Sequence, residues 1–288
     1  MELLEETSAL RAAMDNVRLA GKSLGFVPTM GALHPGHASL VDRAGLECDA
    51  VVTSIFVNPT QFNDSKDLAA YPRSLERDLA LLEAHGCDFA FVPSVEEIYP
   101  EQDQSQSPSV PAVAHRWEGE ERPGHFAGVI EVVDRLLDAV GPCRLYLGEK
   151  DFQQLAVLRA HYAQTARAVE IVACATDRES DALARSSRNL RLSKEARSAA
   201  AAIPLALDAG VSLASEGASP AAIERAMTQL LLDAGAQQVD YAVLVDATSL
   251  EPALRVEPVT PQRLLIAASF GGLRLIDNAD PKHSPLHE

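Results

Sequence analysis

Short apolar runs rich in β-branched residues alternate with amphipathic stretches from residue 24 onward. In one amphipathic stretch Leu75, Leu79 and Leu82 fall at positions i, i+4 and i+7, the spacing that gives a helix one apolar face. Such alternation is typical of a parallel sheet whose strands are joined by crossover helices. The predicted strands are LGFVPT, VVTSIFV, DFAFVP, RLYLG and VEIVACA, and the predicted helices begin after Pro35, after Pro72, at about Phe126 and at Asp151.

The pattern changes in the last third of the chain. An Ala-rich helix from about Lys194 to Ser215 and a second helix from about Pro220 to Ala234 precede two extended runs, DYAVLVDA and RLLIAASFGGLRLID. Helices followed by antiparallel strands indicate a small α+β domain, and a Gly-Gly pair inside the second run predicts a turn. We therefore predict an α/β protein with a Rossmann-like parallel-sheet domain over residues 1–176 and a smaller α+β C-terminal lid domain over residues 177–288.

Two segments lie outside this alternation. The first residues, MELLEETSALRAAMDNVRLAG, form an acidic amphipathic pattern that predicts a helix and contains no apolar signal core, so secretion is not indicated. The segment EQDQSQSPSVPAV is polar and contains proline, which predicts an excursion on the surface.

The net charge of the chain restricts the classes of binding partner that we expect. The chain of 288 residues carries a formal charge of -16, which repels polyanions, and no run of Lys and Arg offsets it. We therefore expect neither nucleic acid nor a membrane as a partner. A small anionic substrate remains compatible with this charge, because a few cationic side chains and N–H groups in one cleft can dominate locally.

The four cysteines are widely spaced and form no CxxC motif. Together with the apolar stretches around them, this spacing predicts reduced, buried thiols and a cytoplasmic protein. The four are Cys48, Cys87, Cys143 and Cys174.

The sharpest candidate for chemistry is PTMGALHPGH, which begins at the end of the first predicted strand and continues into a helix. Ligands of open parallel sheets bind at this edge, and a helix N-terminus offers N–H groups and a positive dipole end to phosphate. His34 and His37 are predicted to face a triphosphate and to stabilise charge that develops during adenylyl transfer. The alternatives are a surface or packing pair of histidines, or a zinc site for which no third ligand has metal spacing.

The segment LGEKDFQQL repeats this arrangement at another strand end. Lys150 is predicted to bind phosphate, and Asp151 to accept a hydrogen bond from a ribose hydroxyl. The amide of Gln154 is predicted to form hydrogen bonds with a carboxylate or hydroxyl. The alternative is ordinary helix capping, with Asp151 near the N-cap.

The segment RSSRN follows the last strand of the predicted first domain. The hydroxyls of Ser186 and Ser187 and the guanidinium of Arg188 suit the β and γ phosphates of a nucleotide, because serine supplies neutral donors and arginine a charged planar fork. A polar turn between domains is the alternative. If the segment does bind nucleotide, its place between domains would let it close over the ligand.

Two further segments are candidates for binding a small polar molecule. In FVNPTQF, Asn58 and Gln61 are uncharged and flanked by Phe56 and Phe62, as expected of a pocket, although an Asn-Pro turn explains the same letters. In WEGEERPGHFAGV, Arg122 is a candidate for cationic support just before a turn and a helix.

The ordered set PTMGALHPGH, FVNPTQF, YPRSLERDL, EERPGHFAGV, GEKDFQQL and SSRN resembles the motifs of the pantoate-beta-alanine ligases. The motifs cover about residues 24 to 190, and the remaining length fits the small C-terminal domain of that family. The resemblance implies a nucleotide-binding Rossmann-like fold and a two-step reaction. Pantoate attacks the α-phosphorus of Mg-ATP to give pantoyl adenylate and pyrophosphate, and the amine of beta-alanine then displaces AMP.

The resemblance also assigns roles to single residues. His34, His37, Lys150 and Arg188 are the implied catalytic residues, and Asp78 occupies the position associated with Mg2+. The implied ATP contacts are Met30, Gly148, Lys150, Asp151, Ser186, Ser187 and Arg188, and the implied pantoate contacts are Pro28, Thr29, Asn58, Gln61, Arg122 and Gln154. A homodimer is likewise implied by the resemblance alone.

The chain departs from the family pattern around the predicted adenine site. Ala175 stands where the family has Pro, Asp177 where it has an apolar residue, Ala182 where it has Gly, and Arg185 where it has Met or Leu. Trp117 replaces a usual Leu. We expect an ion pair between Asp177 and Arg185 to compensate in part, and we predict retained activity with altered nucleotide affinity.

Four other functions are compatible with parts of this pattern. They are a ligase of the same fold for another acid and amine, a nucleotidylyltransferase that releases a stable adenylylated product, an aminoacyl-tRNA synthetase, and a nucleotide-binding regulator without activity. The short, acidic chain lacks an evident tRNA-binding extension, which counts against the synthetase. His34, His37 and Lys150 count against the regulator.

Overall fold

The computed structural model describes residues 1–61, 68–69, 71–100 and 108–286. Within it the chain divides into two compact units. The first comprises Met1–Glu149 and Gln154–Ala175, and the second comprises Lys150–Gln153 and Thr176–Glu288. The predicted assignment of residues 1–176 to a catalytic domain and 177–288 to a lid stays a prediction.

The first unit is built on a six-stranded sheet in which every neighbouring pair of strands is parallel, in the order β1-β4-β3-β2-β5-β6. The strands are β1 (Glu2–Leu4), β2 (Leu24–Thr29), β3 (Ala50–Ile55), β4 (Phe89–Phe91), β5 (Cys143–Gly148) and β6 (Val169–Cys174). The five strands predicted from the apolar runs are thus confirmed as one parallel sheet.

Helices connect and cover these strands. They are α1 (Thr7–Leu19), α2 (Pro35–Glu47), α3 (Leu75–Ala84), α4 (Val95–Ile98), α5 (Glu118–Glu121), α6 (His125–Val140) and α7 (Phe152–Tyr162). The first two residues of α7 group with the second unit.

The side chains of alternate residues along the strands are buried in two separate apolar clusters. Phe26 and Val52 belong to one cluster, whereas their neighbours Val27 and Val51 belong to the other. Both faces of the sheet are therefore covered, which explains why the strands are continuous apolar runs rather than alternating ones.

Two details of the first unit differ from the sequence predictions. Residues Glu2–Leu4, predicted as part of a helix, form β1 and pair in parallel with β4, because an adjacent edge supplies the partner that so short a strand needs. Val110 and Val113 pack against the apolar core, so the surface excursion predicted for EQDQSQSPSVPAV is wrong for its last residues. Residues 101–107 of that segment, and Phe62, lie outside the described residues.

The second unit contains a three-stranded antiparallel sheet, in the order β7-β8-β9, packed with three helices. The strands are β7 (Gln238–Asp246), β8 (Gln262–Phe270) and β9 (Leu273–Ala279), and the helices are α8 (Lys194–Ala200), α9 (Ala202–Ser215) and α10 (Pro220–Asp233). The predicted turn at Gly271-Gly272 joins β8 to β9, where both residues have positive φ.

The predicted continuous helix from Lys194 to Ser215 is interrupted at Ala201. Pro204 has no N–H to bond the carbonyl of Ala200, which is the physical reason for the break. Among the described residues, this stretch is long and apolar enough to cross a membrane. Ala200, Ile203 and Leu207 are fully buried in the core of the second unit, which accounts for the apolar composition.

Candidate active site

The strand order of the first unit contains a switch point. From β2 the chain winds outward through β3 and β4, and it then returns to place β5 on the other side of β2. Ligands of open α/β sheets bind outside the carboxyl ends of the strands at such a point. Thr29 and Gly148 are the carboxyl-terminal residues of the two strands that flank it.

A tight loop follows β2. Gly31 has φ of 77° and Ala32 has φ of 50°, and the backbone N–H of Gly31 donates to Thr29 Oγ1 at 3.2 Å. The Thr29 hydroxyl itself donates to the carbonyl of Ser54 at 2.6 Å. The loop is therefore fixed to the neighbouring strand β3 before the chain reaches His34.

Asp78 of α3 fixes the other side of this loop. Its carboxylate accepts from the backbone N–H groups of Ala32 at 2.9 Å and Leu33 at 2.8 Å, and from the hydroxyl of Ser74 at 3.2 Å. The residue is only 1% exposed. These three hydrogen bonds give Asp78 a role in holding the loop, and the magnesium contact predicted for it stays a prediction that this geometry does not favour.

The two predicted histidines lie together at the start of α2. His34 is the N-cap residue, Pro35 is the first helical residue, and the two imidazole rings have centroids 4.1 Å apart. His37 Nδ1 accepts from the backbone N–H of His34 at 3.3 Å, so a neutral His37 ring carries its proton on Nε2. The pair thus places a side-chain donor at the positive dipole end of α2, which suits an anionic ligand.

Gln61 reaches the loop after β2, because its side-chain amide donates to Met30 Sδ at 2.6 Å. Asn58, which is 1% exposed, contacts it: Asn58 Nδ2 donates to Gln61 Oε1 at 3.3 Å and to the carbonyl of Gly128 at 3.1 Å, and Oδ1 accepts from the hydroxyl of Tyr99 at 2.9 Å. The structure therefore brings Met30 and Gln61 together, and it makes Asn58 a support for Gln61.

Arg122 and His125 hold the backbone of Gln61. His125 Nδ1 lies 3.2 Å from the carbonyl oxygen of Gln61 and must donate to it. His125 Nε2, 3.0 Å from Arg122 Nη1, then accepts from the guanidinium. His125 and Tyr99 were missed as site residues by sequence reasoning, although His125 lies inside the motif EERPGHFAGV.

The other predicted residues of the first unit are placed as follows. Pro28 lies in β2 beside Ser54 of β3, Gly148 ends β5 opposite Cys174, and Gln154 lies half-buried in α7. None of these positions assigns a ligand contact to the residue.

The second unit contains a cleft lined by charged and polar groups of both remaining motifs. Lys150, Ser186, Arg188 and Asn189 line it together with the apolar Leu183 and Ile203. Lys150 Nζ is 3.5 Å from Asp151 Oδ1. Ser187 begins the 3-10 turn Ser187–Arg191, which is capped by Ser186 Oγ accepting from the backbone N–H of Arg188 at 3.3 Å. The two motifs, 36 positions apart between Lys150 and Ser186, therefore line one cleft.

The segment before Ser186 is held by ion pairs. The expected pair of Asp177 and Arg185 is present, with Oδ2 and Nε 2.8 Å apart. Arg197 binds both Asp181 and Glu179, and its hydrogen bond lowers the pKa of the Asp181 carboxyl. Ala182, at a position where the resemblance implies Gly, has φ of 64°, in the left-handed region that favours glycine.

A parallel sheet with a histidine-capped helix at its switch point defines the class of the protein, an α/β nucleotide-binding enzyme. Residues 2–280 match the family described as Pantoate-beta-alanine ligase. The pantothenate synthetase of Rhizorhabdus wittichii is 45% identical over 285 residues, which cover 99% of this chain and 100% of that protein. That of Gluconobacter oxydans is 46% identical over 96% of this chain and 99% of its own length.

Comparison with solved structures points to the same family. The pantothenate synthetase of Thermus thermophilus has a TM-score of 0.92 and 42% identity, covering 98% of this chain and 100% of its own. The Francisella tularensis pantoate-beta-alanine ligase complexed with beta-gamma ATP and beta-alanine has a TM-score of 0.82 and 32% identity, covering 99% of each chain. The chain belongs to the pantoate-beta-alanine ligase family, and it is an enzyme that ligates pantoate to beta-alanine.

Proposed function

We propose that this chain condenses pantoate with beta-alanine at the expense of ATP, through a pantoyl adenylate, to supply pantothenate for coenzyme A biosynthesis. The observation that carries the mechanism is the His34–His37 pair at the N-terminus of α2, just beyond the end of β2. Family membership and the ATP and beta-alanine bound by the Francisella relative support the choice of substrates.

In the first step a carboxylate oxygen of pantoate attacks the α-phosphorus, and the bond to pyrophosphate breaks. Negative charge grows on the phosphate oxygens as this happens, and preorganised donors stabilise it. His37 donates through Nε2, the atom that its tautomer protonates, and His34 acts beside it at the dipole end of α2.

The triphosphate is bound by Lys150, Ser186, Ser187 and Arg188. Because Ser186 Oγ accepts from the backbone, its own proton is available to a phosphate oxygen. Met30, Gly148 and Asp151 contact the nucleoside part, with Asp151 at the ribose hydroxyls.

Pantoate is held by neutral amides. Gln61 and Gln154 bind its hydroxyls and carboxylate, while Asn58 and Arg122 keep Gln61 in place. Pro28 and Thr29 form the adjoining wall. In the second step the amine of beta-alanine attacks the acyl carbon and AMP leaves, so that no covalent bond to the protein is needed and positioning does much of the catalysis.

Mg2+ enters as part of the Mg-ATP substrate. No group of three potential metal-ligating side chains occurs among the residues that the structure describes. Asp78 already accepts three hydrogen bonds, so it does not fit a resident metal site and no step is derived through the ion.

Cytoplasmic location, the absence of nucleic acid and membrane partners, and a homodimer complete the proposal. The charge of -16 supports the absence of nucleic acid and membrane partners, the spacing of the cysteines supports the cytoplasmic location, and the resemblance to the family alone supports the homodimer. Light scattering during size-exclusion chromatography measures the oligomer directly, and a monomer at micromolar concentration contradicts the dimer.

The decisive experiment measures pyrophosphate release from Mg-ATP with pantoate, with and without beta-alanine. We expect release that depends on pantoate, formation of AMP and pantothenate once beta-alanine is added, and loss of both in His34→Ala. His85→Ala is the matched control, because His85 is an exposed histidine paired with Asp42 outside the proposed site. Release without pantoate, or a stable adenylylated product that ignores the amine, would instead identify a nucleotidylyltransferase.

A further inference from the structure

Asn278 is a buried polar residue in strand β9 that no motif predicted. It is 2% exposed, and both ends of its side-chain amide are used. Its Oδ1 accepts from Arg263 Nε at 2.6 Å, and its Nδ2 donates to the backbone carbonyl of Lys150 at 2.9 Å. Asn278 therefore holds the backbone of Lys150, which binds a phosphate of ATP in the proposed function.

Arg263 of β8 secures the same segment from a second point. Its guanidinium lies 4.6 Å from the ring centroid of Phe152, two residues after Lys150. A cation over an aromatic face is attracted to the ring, and here the same cation also orients the amide of Asn278. The segment from Lys150 to Phe152 is thus attached to the antiparallel sheet at two points.

Asp277, the residue before Asn278, holds the segment that leads to the proposed phosphate-binding residues Ser186 and Arg188. Its carboxylate is 1% exposed and forms a bidentate pair with Arg178, with distances of 2.8 and 3.2 Å. Arg178 Nη1 also donates to the carbonyl of Ala182 at 3.0 Å. Successive side chains of a strand point to opposite faces, so two adjacent residues of β9 serve two different segments.

The segment held by Asp277 continues into Ser186 and Arg188, which line the same cleft as Lys150. Buried polar groups in a strand weaken its apolar packing unless their hydrogen bonds are made. Here those hydrogen bonds run to the two segments that carry the phosphate-binding residues.

We propose that Asp277 and Asn278 are positioning residues that set Lys150 and the Ser186–Arg188 turn in register for one triphosphate. This inference rests on the proposed role of Lys150 in binding phosphate. It predicts that damage to Asn278 weakens the binding of ATP more than that of AMP, because Asn278 bonds the backbone of Lys150 itself and Asp151, at the ribose, is the residue after it.

The test uses Asn278→Asp, which keeps the size of the side chain and the acceptor for Arg263 but places an oxygen against the carbonyl of Lys150. ATP and AMP binding to the full chain are measured by calorimetry for the unmodified protein, Asn278→Asp, Lys150→Ala and the double variant. We expect Asn278→Asp to weaken ATP binding about tenfold, the factor that the loss of one hydrogen bond produces. AMP binding should stay within about twofold, and the loss for ATP should vanish in the Lys150→Ala background, because the two residues act through one contact.

Leu231→Ala is the structural control. Leu231 is fully buried in the core of the same unit, on α10, and its truncation lowers stability without touching either segment. ATP and AMP binding should be unchanged in this variant. If Asn278→Asp fails to fold, Arg263→Gln replaces it, and a smaller weakening of ATP binding with AMP unaffected is expected.

Each contrary result has one meaning. Three results would overturn the inference and leave the proposed function intact. The first is equal weakening of ATP and AMP binding, and the second is an undiminished effect in the Lys150→Ala background. The third is no effect of Asn278→Asp on ATP binding while Lys150→Ala weakens it. Unchanged ATP binding in Lys150→Ala would overturn the phosphate role of Lys150, and the inference with it.

Discussion

The carboxylate of Asp78 accepts a hydrogen bond from the backbone N–H of Leu33 at 2.8 Å, and its second oxygen accepts from the N–H of Ala32. A helix that begins 42 positions after Leu33 in the chain thereby fixes the residues just before His34. The position of the histidine pair depends on this contact as well as on the N-terminus of α2.

Asp78→Asn should reduce pyrophosphate release strongly while leaving the Mg2+ requirement unchanged. An amide has one acceptor oxygen, so its NH2 group opposes one of the two backbone N–H groups and the loop shifts. A displacement of about 1 Å in a reacting group can cost roughly 100-fold in rate. The measurements are kcat and the Mg2+ concentration for half-maximal rate.

Asp42→Asn, at an exposed carboxylate, is the control for this variant and should leave kcat unchanged. A large increase in the Mg2+ concentration that Asp78→Asn requires, at unchanged kcat, would make Asp78 a metal ligand instead.

Ala182→Gly should stabilise the second unit. Ala182 has φ of 64°, a conformation that costs an L-residue with a Cβ about 1–2 kcal/mol, and glycine removes this cost. After the loss of chain entropy on folding is subtracted, we expect a gain of about 1 kcal/mol, or about 2–4 °C in melting temperature. Ala201→Gly, at φ of -61°, is the matched control and should lower the melting temperature. A lower melting temperature for Ala182→Gly would contradict the strain.

Gly128→Ala should weaken pantoate binding selectively. A Cβ on Gly128 would lie 2.8 Å from the carbonyl oxygen of Thr60, so Thr60 and the adjacent Gln61 must move. We expect the KM for pantoate to rise about tenfold, a loss of about 1.4 kcal/mol, with the KM for ATP unchanged. Gly45→Ala is the control, because a Cβ there meets no atom within 4 Å. Equal increases in both KM values would indicate general damage to the fold.

Three thiols whose pKa is raised by the fold should be unreactive in the folded chain. Burial raises the pKa of Cys143 from 9.0 to about 12 and that of Cys174 to about 11, and it also raises the pKa of Cys87. Because the fold favours the neutral thiol, this stabilisation is complete below pH 9 and is lost as the pH rises toward 11 or 12.

An aromatic disulfide reagent at pH 8 checks this prediction, because the thiolate is the reacting form. We expect at most one fast-reacting thiol, Cys48, in the native chain and all four thiols in denaturant. Rapid reaction of three or four native thiols would contradict the prediction.

The sequence by itself determined the sheet and the order of the motifs. β2 and β3 are buried on both faces, so their apolar runs and the helices between them identify a parallel sheet without knowledge of partners. The sequence also placed His34, His37 and Lys150 at strand ends, because Pro and Gly limit strands and helices through their local backbone preferences.

Contacts between distant residues were decided only by the tertiary structure. Asn278 donates to Lys150 across 128 positions, and Asp78 holds Leu33 across 45, and neither spacing has a period that a sequence pattern can reveal. Strand β1 exists because β4 offers it an edge, and the strain at Ala182 follows from the turn around it. Local preference fixes the elements, whereas buried polar groups take their partners wherever folding brings a donor and an acceptor together.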